Sequence, residues 1–315
     1  MAIDRRSFLL AAASLVRAAD DARFSTDVRV VNILATVRDR KGHLITDLTR
    51  EDFVLEDNGQ PQTIRYFGHE PDLPLSLGLL VDTSLSQRRL LGVERAASYE
   101  FFDTMRRQGR DQAYVIHFDR DVELLQDFTS SAEDLKAALA SLGGSDPEPH
   151  GSWIPAGSWR RGRYGGTALY DAILLACQEL MQKRQGRKAL ILLTDGVDIG
   201  SRVSLDDAVR SALRADTLVY SVLFADASFY EHHRDGGPSG KEVLQQISGS
   251  TGGGFFAVSR SEPIDRIYKR IEEELRSQYS IGYAPDRPAD GFHRLRLSTT
   301  QGFAVQARDG YYTVR

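Results

Sequence analysis

The chain has 315 residues, of which 41% are hydrophobic, and its formal net charge at pH 7 is −4. A chain of this length can bury a substantial core and can divide into two domains. The slight negative charge gives no electrostatic support for nucleic-acid binding. The single cysteine, Cys177, excludes an intrachain disulfide and any multi-cysteine metal site.

The amino terminus has the pattern of an export signal. Arg5 and Arg6 precede a short apolar segment that ends at Val16, which resembles a twin-arginine signal. We expect residues 1–20 to be a signal peptide and the mature protein to be periplasmic or secreted. The alternative is a frayed cytosolic terminus. No later segment reaches the roughly 18 apolar residues of a membrane span, so we expect none in the mature chain.

Segments near both ends of the chain alternate apolar and polar residues, which is typical of antiparallel strands. Alternation occurs over residues 31–37, 279–283 and 295–307, and Asp57-Asn58-Gly59 predicts a tight hairpin between residues 53–55 and 64–67. Each segment is too short for a core of its own. We therefore predict that residues 21–72 and 278–315 form one small antiparallel β-sandwich-like domain, with residues 73–277 inserted between them.

The stretch from Leu75 to Ser86 is an apolar run that breaks into polar residues. Such a run predicts a strand buried on both faces of a parallel sheet. Asp82, Ser84 and Ser86 follow at its carboxyl end, where open α/β sheets bind ligands. Their i, i+2, i+4 spacing lets one loop direct three oxygens toward a single point. Three oxygens are too few to hold a cation, so further ligands should come from other strand ends.

Between residues 73 and 277 apolar strands alternate with amphipathic helices. This order predicts an α/β fold with a doubly wound, mostly parallel, Rossmann-like sheet. Strands are expected near residues 113–118, 189–193 and 218–224. Helices are expected near residues 90–105, 130–142, 169–180, 205–213, 243–247 and 264–275, the second of them beginning with a capping box at residues 130–133.

Two further oxygen ligands are predicted at the same edge of this sheet. Thr167 follows a flexible Gly-Gly pair, and Asp195 follows the strand at residues 189–194. With Asp82, Ser84 and Ser86 they form an all-oxygen set, which suits a hard divalent cation and suits zinc or copper poorly. We expect Mg²⁺ first, with Mn²⁺ or Ca²⁺ as alternatives. The competing interpretation is that these residues only cap helices and shape turns.

The pattern Asp-x-Ser-x-Ser, a distant Thr and a later Thr-Asp-Gly resembles the metal-ion-dependent adhesion site of von Willebrand factor type A domains over residues 73–276. The flanking segments 53–62 and 307–311 further resemble the exported bacterial VWFA-related Acidobacterial domain proteins. The resemblance implies that Ser84 and Ser86 bind the metal directly, that Asp82 and Asp195 bind it directly or through water, and that Thr167 joins according to the state of the site.

A long Gly, Ser and Pro rich connection spans residues 143–164 and ends just before Thr167. It contains Trp153, Trp159, Arg160 and Arg161, residue types that are enriched at interaction hot spots. We hypothesise that these four residues form part of a partner-binding surface. The alternative is that the connection folds back over its own domain or stays mobile.

The sequence therefore predicts a non-enzymatic, metal-dependent module that captures an acidic group, an exposed Asp or Glu, of a protein ligand. One alternative is a regulatory or assembly subunit in which the metal is structural. A phosphatase-like hydrolase is a weaker alternative, because Ser84 occupies the position where that class needs a second acid. His232 and His233 lie in a polar loop without a partner at ligand spacing, and His117 is expected to be a hydrogen-bonded core residue.

Overall fold

The computed structural model describes residues 30–69, 73–84, 87, 91–105, 110–142, 166–224, 238–285 and 290–313. Within these residues no helix is long and apolar enough to cross a membrane.

The described residues form fourteen strands. In chain order they are β1 (Val31–Arg38), β2 (Phe53–Asp57), β3 (Gln60–Gln62), β4 (Tyr66–His69), β5 (Leu75–Asp82), β6 (Gln112–Phe118), β7 (Val122–Thr129), β8 (Arg187–Thr194), β9 (Leu218–Leu223), β10 (Phe255–Ala257), β11 (Tyr279–Tyr283), β12 (Gly291–Thr299), β13 (Ala304–Gln306) and β14 (Gly310–Thr313).

A six-stranded sheet with the order β10-β9-β8-β5-β6-β7 forms the centre of the molecule. Its strands run parallel except β7, which pairs antiparallel with β6 at the edge. All eight residues of β5 and of β8 are buried, as expected for central strands covered on both faces. The doubly wound, mostly parallel sheet predicted from the sequence is confirmed, and β7 is an additional strand.

Helices cover both faces of this sheet. They are α1 (Leu91–Met105), α2 (Ala132–Ser141), α3 (Leu169–Leu175), α4 (Leu205–Arg214), α5 (Gly240–Thr251) and α6 (Ile264–Arg276). One core cluster joins the sheet to α1, α2 and α6, and a second joins it to α3, α4 and α5. Cys177 is fully buried in the second cluster, where burial raises the pKa of its thiol to about 12.

Helix α2 begins differently from the prediction. Ser131, rather than Ser130, is the N-cap residue, and its hydroxyl accepts a hydrogen bond from the Asp134 amide at 3.2 Å. Ser130 and Glu133 therefore do not form the predicted capping box. Asp134 instead accepts from the Thr129 hydroxyl at 3.0 Å, which links the helix to the end of β7.

The two ends of the chain build two four-stranded sheets, with the orders β13-β1-β11-β4 and β14-β12-β2-β3. Each combines amino-terminal and carboxyl-terminal strands, and both contribute to one core cluster. The predicted β domain formed by both termini is thus observed. The predicted hairpin partner was wrong: Asn58 and Gly59, both with positive φ, connect β2 to β3, whereas β4 pairs with β11 in the other sheet.

Two ion pairs connect this β domain to the central domain. Arg38 Nη2 lies 2.5 Å from Glu274 Oε1 at the end of α6, and Arg308 Nη1 lies 2.5 Å from Asp216 Oδ1 after α4. Glu274 is 2% exposed and also accepts a 3.3 Å hydrogen bond from Gln306. Polar contacts therefore connect the two domains at the amino-terminal edge of the central sheet, and of the two acidic partners Glu274 is buried whereas Asp216 is exposed.

Candidate metal centre

Asp82 is the last residue of β5 and is fully buried. Its Oδ1 accepts a hydrogen bond from the Ser84 amide at 2.9 Å, and its Oδ2 accepts one from the Thr194 hydroxyl at 2.7 Å. Burial raises the pKa of Asp82 to about 6, hydrogen bonds from Ser84 and Thr194 oppose this rise, and the charge of Asp195 adds to it. The two hydrogen bonds hold the carboxylate in a fixed orientation, and no cationic side chain of the described residues forms an ion pair with it.

Thr83 and Ser84 follow β5 at the carboxyl end of the sheet. Ser84 is 8% exposed, and its carbonyl accepts a hydrogen bond from the Gln87 amide at 2.9 Å. The Thr83 amide donates to the carbonyl of Phe118 at 2.9 Å, which fixes the loop to the end of β6. The Thr83 hydroxyl lies 3.1 Å from Nδ1 of His117, and Nε2 of His117 lies 3.1 Å from Oε2 of Glu123. His117 is therefore hydrogen-bonded at both ring nitrogens, as predicted.

Asp195 follows the neighbouring strand β8 directly and is 7% exposed. Because β5 and β8 are adjacent and parallel, with Val81 opposite Leu193, their carboxyl ends place Asp82 and Asp195 at the same edge. Asp195 Oδ1 accepts a hydrogen bond from the Val197 amide at 3.0 Å. Gly196 has a φ of 79°, and a Cβ there would lie 2.3 Å from the Gly240 carbonyl, so the turn packs tightly against the start of α5.

Thr167 lies in the segment before α3 and is 7% exposed. Its amide and carbonyl both bond to Ile199, at 3.0 Å each, in the loop after β8. The next amide, that of Ala168, donates to the carbonyl of Asp119, which follows β6. The segment is therefore held between the loops that leave β6 and β8, at the edge that carries Asp82 and Asp195.

The structure thus brings Asp82, Ser84, Thr167 and Asp195 to one edge of the sheet. Ser86, the remaining predicted ligand, lies outside the described residues. The proposed partner-binding residues Trp153, Trp159, Arg160 and Arg161, the export residues Arg5 and Arg6, and the loop histidines His232 and His233 also lie outside them.

Two buried polar side chains near this edge lack partners within the described residues. Both carboxylate oxygens of Glu94, in the first turn of α1, and Oε1 of Gln87 have no hydrogen-bond partner there. Glu94 is 1% exposed, and burial, followed by the charge of Asp82, raises its pKa well above the usual range. Excess buried acceptor oxygens are the electrostatic environment that a cation relieves.

The donor chemistry fits a hard divalent cation. The described residues contain no group of three His, Cys, Asp or Glu side chains that could hold a metal, so the candidate site depends on hydroxyls together with two carboxylates. Hydroxyl and carboxylate oxygens suit Mg²⁺, Mn²⁺ or Ca²⁺. Because these ligands carry only two negative charges, a bound divalent cation would remain strongly electrophilic.

Comparison with protein families agrees with this arrangement. Two models, both described as von Willebrand factor type A domain, match residues 77–197 and 159–270. The chain is a von Willebrand factor type A domain protein. The matched ranges contain all five residues of the predicted metal site. No curated protein matches the chain.

Solved structures with a similar fold come from several sources. An aerotolerance-related membrane protein from Bacteroides fragilis is 18% identical, with a TM-score of 0.45, 64% of this chain covered and 98% of that one. Proximal thread matrix protein 1 from the mussel byssus, with a zinc-occupied MIDAS motif, is 17% identical, with a TM-score of 0.45 and coverages of 70% and 50%. A von Willebrand factor type A protein from Catenulispora acidiphila is 11% identical, with a TM-score of 0.47 and coverages of 92% and 75%.

Sequence reasoning missed three residues of this edge. Thr194 was part of the recognised Thr-Asp-Gly pattern, yet its hydrogen bond to Asp82 depends on strand register. Glu94 and Gln87 were not identified, because an isolated Glu or Gln side chain is ordinarily solvated. The available signal for Glu94 was its position three residues after Leu91 and four before Ser98, on the buried stripe of α1.

Proposed function

We propose that this von Willebrand factor type A domain protein is an exported, non-enzymatic binding module that captures an acidic group of a protein ligand through a divalent cation. Domains of this family mediate protein–protein interactions. The observation that supports the proposal best is the convergence of Asp82, Ser84, Thr167 and Asp195 at the carboxyl edge of the sheet. Export rests on the twin-arginine pattern at Arg5 and Arg6.

In this proposal Ser84 and Ser86 bind Mg²⁺ directly, Thr167 contributes its hydroxyl, and Asp82 and Asp195 hold the ion directly or through water. When bound, the ion supplies an electrophilic position that a carboxylate of the ligand can occupy. The chain's own contribution is to orient the oxygens: Thr194 and the Ser84 amide fix Asp82, and the Val197 amide fixes Asp195. Exposed Asp or Glu on a partner protein is the corresponding ligand group.

The test is an array of peptides that carry Asp or Glu, each with a matched Asn or Gln version. Binding of the purified protein is measured with Mg²⁺, Mn²⁺ or Ca²⁺ and with chelator. We expect capture only of carboxylate peptides and only with metal, and loss of capture in Asp195→Asn. Peptide binding that is the same with and without chelator would contradict the proposal and favour a subunit with a structural metal. Hydrolysis of p-nitrophenyl phosphate would favour the hydrolase alternative.

A further inference from the structure

A cavity of about 310 Å³ lies at the opposite edge of the central sheet from the candidate metal centre. Lys188, the second residue of β8, and Leu218, the first residue of β9, both line it. Residues of the β domain, Asn32 and Arg308, complete the wall. Because β8 has eight residues, roughly 25 Å separates this cavity from the metal edge.

The charges that line the cavity are predominantly positive. Arg184, Lys188 and Arg308 contribute cations, and Asp216 is the one carboxylate among the lining residues. Asp216 is already paired with Arg308, whose Nη1 lies 2.5 Å from Asp216 Oδ1. Arg184 is directed toward the ring of Phe128, with its Cζ 4.4 Å from the ring centroid, and donates to Gln112.

Lys188 is a cation of the cavity wall that forms no ion pair within the described residues. It is 7% exposed, and within the described residues its ammonium group has no hydrogen-bond or ion-pair partner. Burial lowers the pKa of Lys188, and the charge of Asp216 opposes this effect. A lysine that is mostly withdrawn from solvent and forms no ion pair is unfavourable, and an anion bound beside its accessible ammonium group would reduce that cost.

Asn32, another residue that lines the cavity, offers a further donor. Asn32 accepts from the Ser280 hydroxyl at 3.0 Å through its side-chain oxygen, which leaves its amide nitrogen as a donor. The cavity volume lies at the lower end of small-molecule sites, which suits a compact ligand rather than a cofactor.

We propose that this cavity is a binding site for a small oxyanion, a phosphate or a compact carboxylate, held by the Lys188 ammonium group and the Asn32 amide at the junction of the two domains. The site takes residues from both domains, so the anion binds only when they are docked. It therefore stabilises the docked arrangement by mass action. It is independent of the cation at the opposite edge.

The test uses the full chain in chelator, so that anions cannot act through a metal. Thermal unfolding and calorimetric titration are measured with inorganic phosphate and with citrate, at ionic strength held constant with sodium chloride. We expect one or both anions to raise the melting temperature. The anion that binds with the lower dissociation constant identifies the ligand class, a phosphate or a carboxylate. Lys188→Met should weaken binding tenfold or more, as expected for loss of a charge-assisted hydrogen bond.

Two variants make the result specific. Lys183→Met removes a nearby exposed lysine that pairs with Glu179 outside the cavity and should leave anion binding unchanged. Asp216→Asn removes the one acidic side chain of the wall and should tighten binding. The proposal is overturned if the wild-type chain shows neither a shift nor heat with both anions, or if Lys188→Met responds as the wild type does.

Discussion

Thr194 donates its hydroxyl hydrogen to Oδ2 of Asp82 at 2.7 Å, across the boundary between the two central strands. The same hydroxyl oxygen accepts a hydrogen bond from the Gly196 amide at 3.1 Å. One side chain thus connects the carboxylate at the end of β5 to the turn that presents Asp195. This places the two acidic residues of the candidate metal centre in a common network.

Thr194→Val should weaken metal binding without displacing a direct ligand. The variant removes the hydrogen bond to Oδ2 of Asp82 and the acceptor of the Gly196 amide, while Oδ1 of Asp82 keeps its bond from the Ser84 amide. The loss of such an orienting contact typically costs 10-fold to 100-fold in metal affinity. Stability should fall by about 1–3 kcal/mol. Calorimetric titration with Mg²⁺ and urea unfolding measure the two effects.

Thr36→Val is the matched control for Thr194→Val. Thr36 is 1% exposed in β1, and its hydroxyl has no partner among the described residues. The valine variant should retain normal metal affinity and equal or greater stability. Equal metal affinity in both variants would show that Thr194 does not orient Asp82 for metal binding.

The stability of the metal-free protein should depend on pH through Asp82. Its pKa is raised by burial to about 6, against about 3.9 in the unfolded chain. The folded state therefore holds more protons between these values, and its stability falls as the pH rises from about 4 to about 6. The contribution is up to about 3 kcal/mol. Asp82→Asn should flatten this part of the profile in chelator, and an unchanged slope would contradict the assignment.

Glu274→Gln should loosen the junction between the two domains. The variant removes the charge that pairs with Arg38 at 2.5 Å, and Glu274 is 2% exposed. Breaking such a buried pair costs about 3 kcal/mol. The neighbouring exposed residue provides the control, since Glu273→Gln should change stability by less than about 0.5 kcal/mol. Chemical unfolding of both variants measures the difference, and equal values would refute the role of this pair.

Two glycines of the central domain should respond oppositely to alanine. A Cβ at Gly78 in β5 would lie 2.4 Å from the ring of Tyr114, whereas one at Gly92 in α1 would meet nothing within 4 Å. Gly78→Ala should destabilise by about 1–3 kcal/mol because the buried ring cannot move freely. Gly92→Ala should stabilise by about 0.5–1 kcal/mol. Melting temperatures that shift in the same direction would contradict this account.

The central sheet and the insertion of one domain into the other could be predicted from sequence, because both depend on patterns that tertiary context rarely overrides. The mostly apolar run of β5 predicts a central strand. The alternating segments at the two ends of the chain predict strands that bury their apolar faces against one another. Four of the five predicted metal ligands lie in the described residues, and all four lie at one edge.

The details that could not be predicted depend on strand pairing. Asn58-Gly59 predicts a tight turn correctly, yet the strand that follows is the short β3, with only polar residues and a proline. The antiparallel edge strand β7 was missed because its half-buried residues lack clean alternation. Glu94 could not be recognised because its burial depends on how α1 packs against the sheet.

The most direct test of the central claim is thermal unfolding of the mature protein in chelator and in millimolar Mg²⁺, Mn²⁺ or Ca²⁺, with Asp82→Ala measured alongside. A cation that binds only the folded state raises the melting temperature once its concentration exceeds its dissociation constant. The account predicts a metal-dependent rise in the wild type that is absent in Asp82→Ala. Identical curves for the wild type in chelator and in all three metals would contradict it.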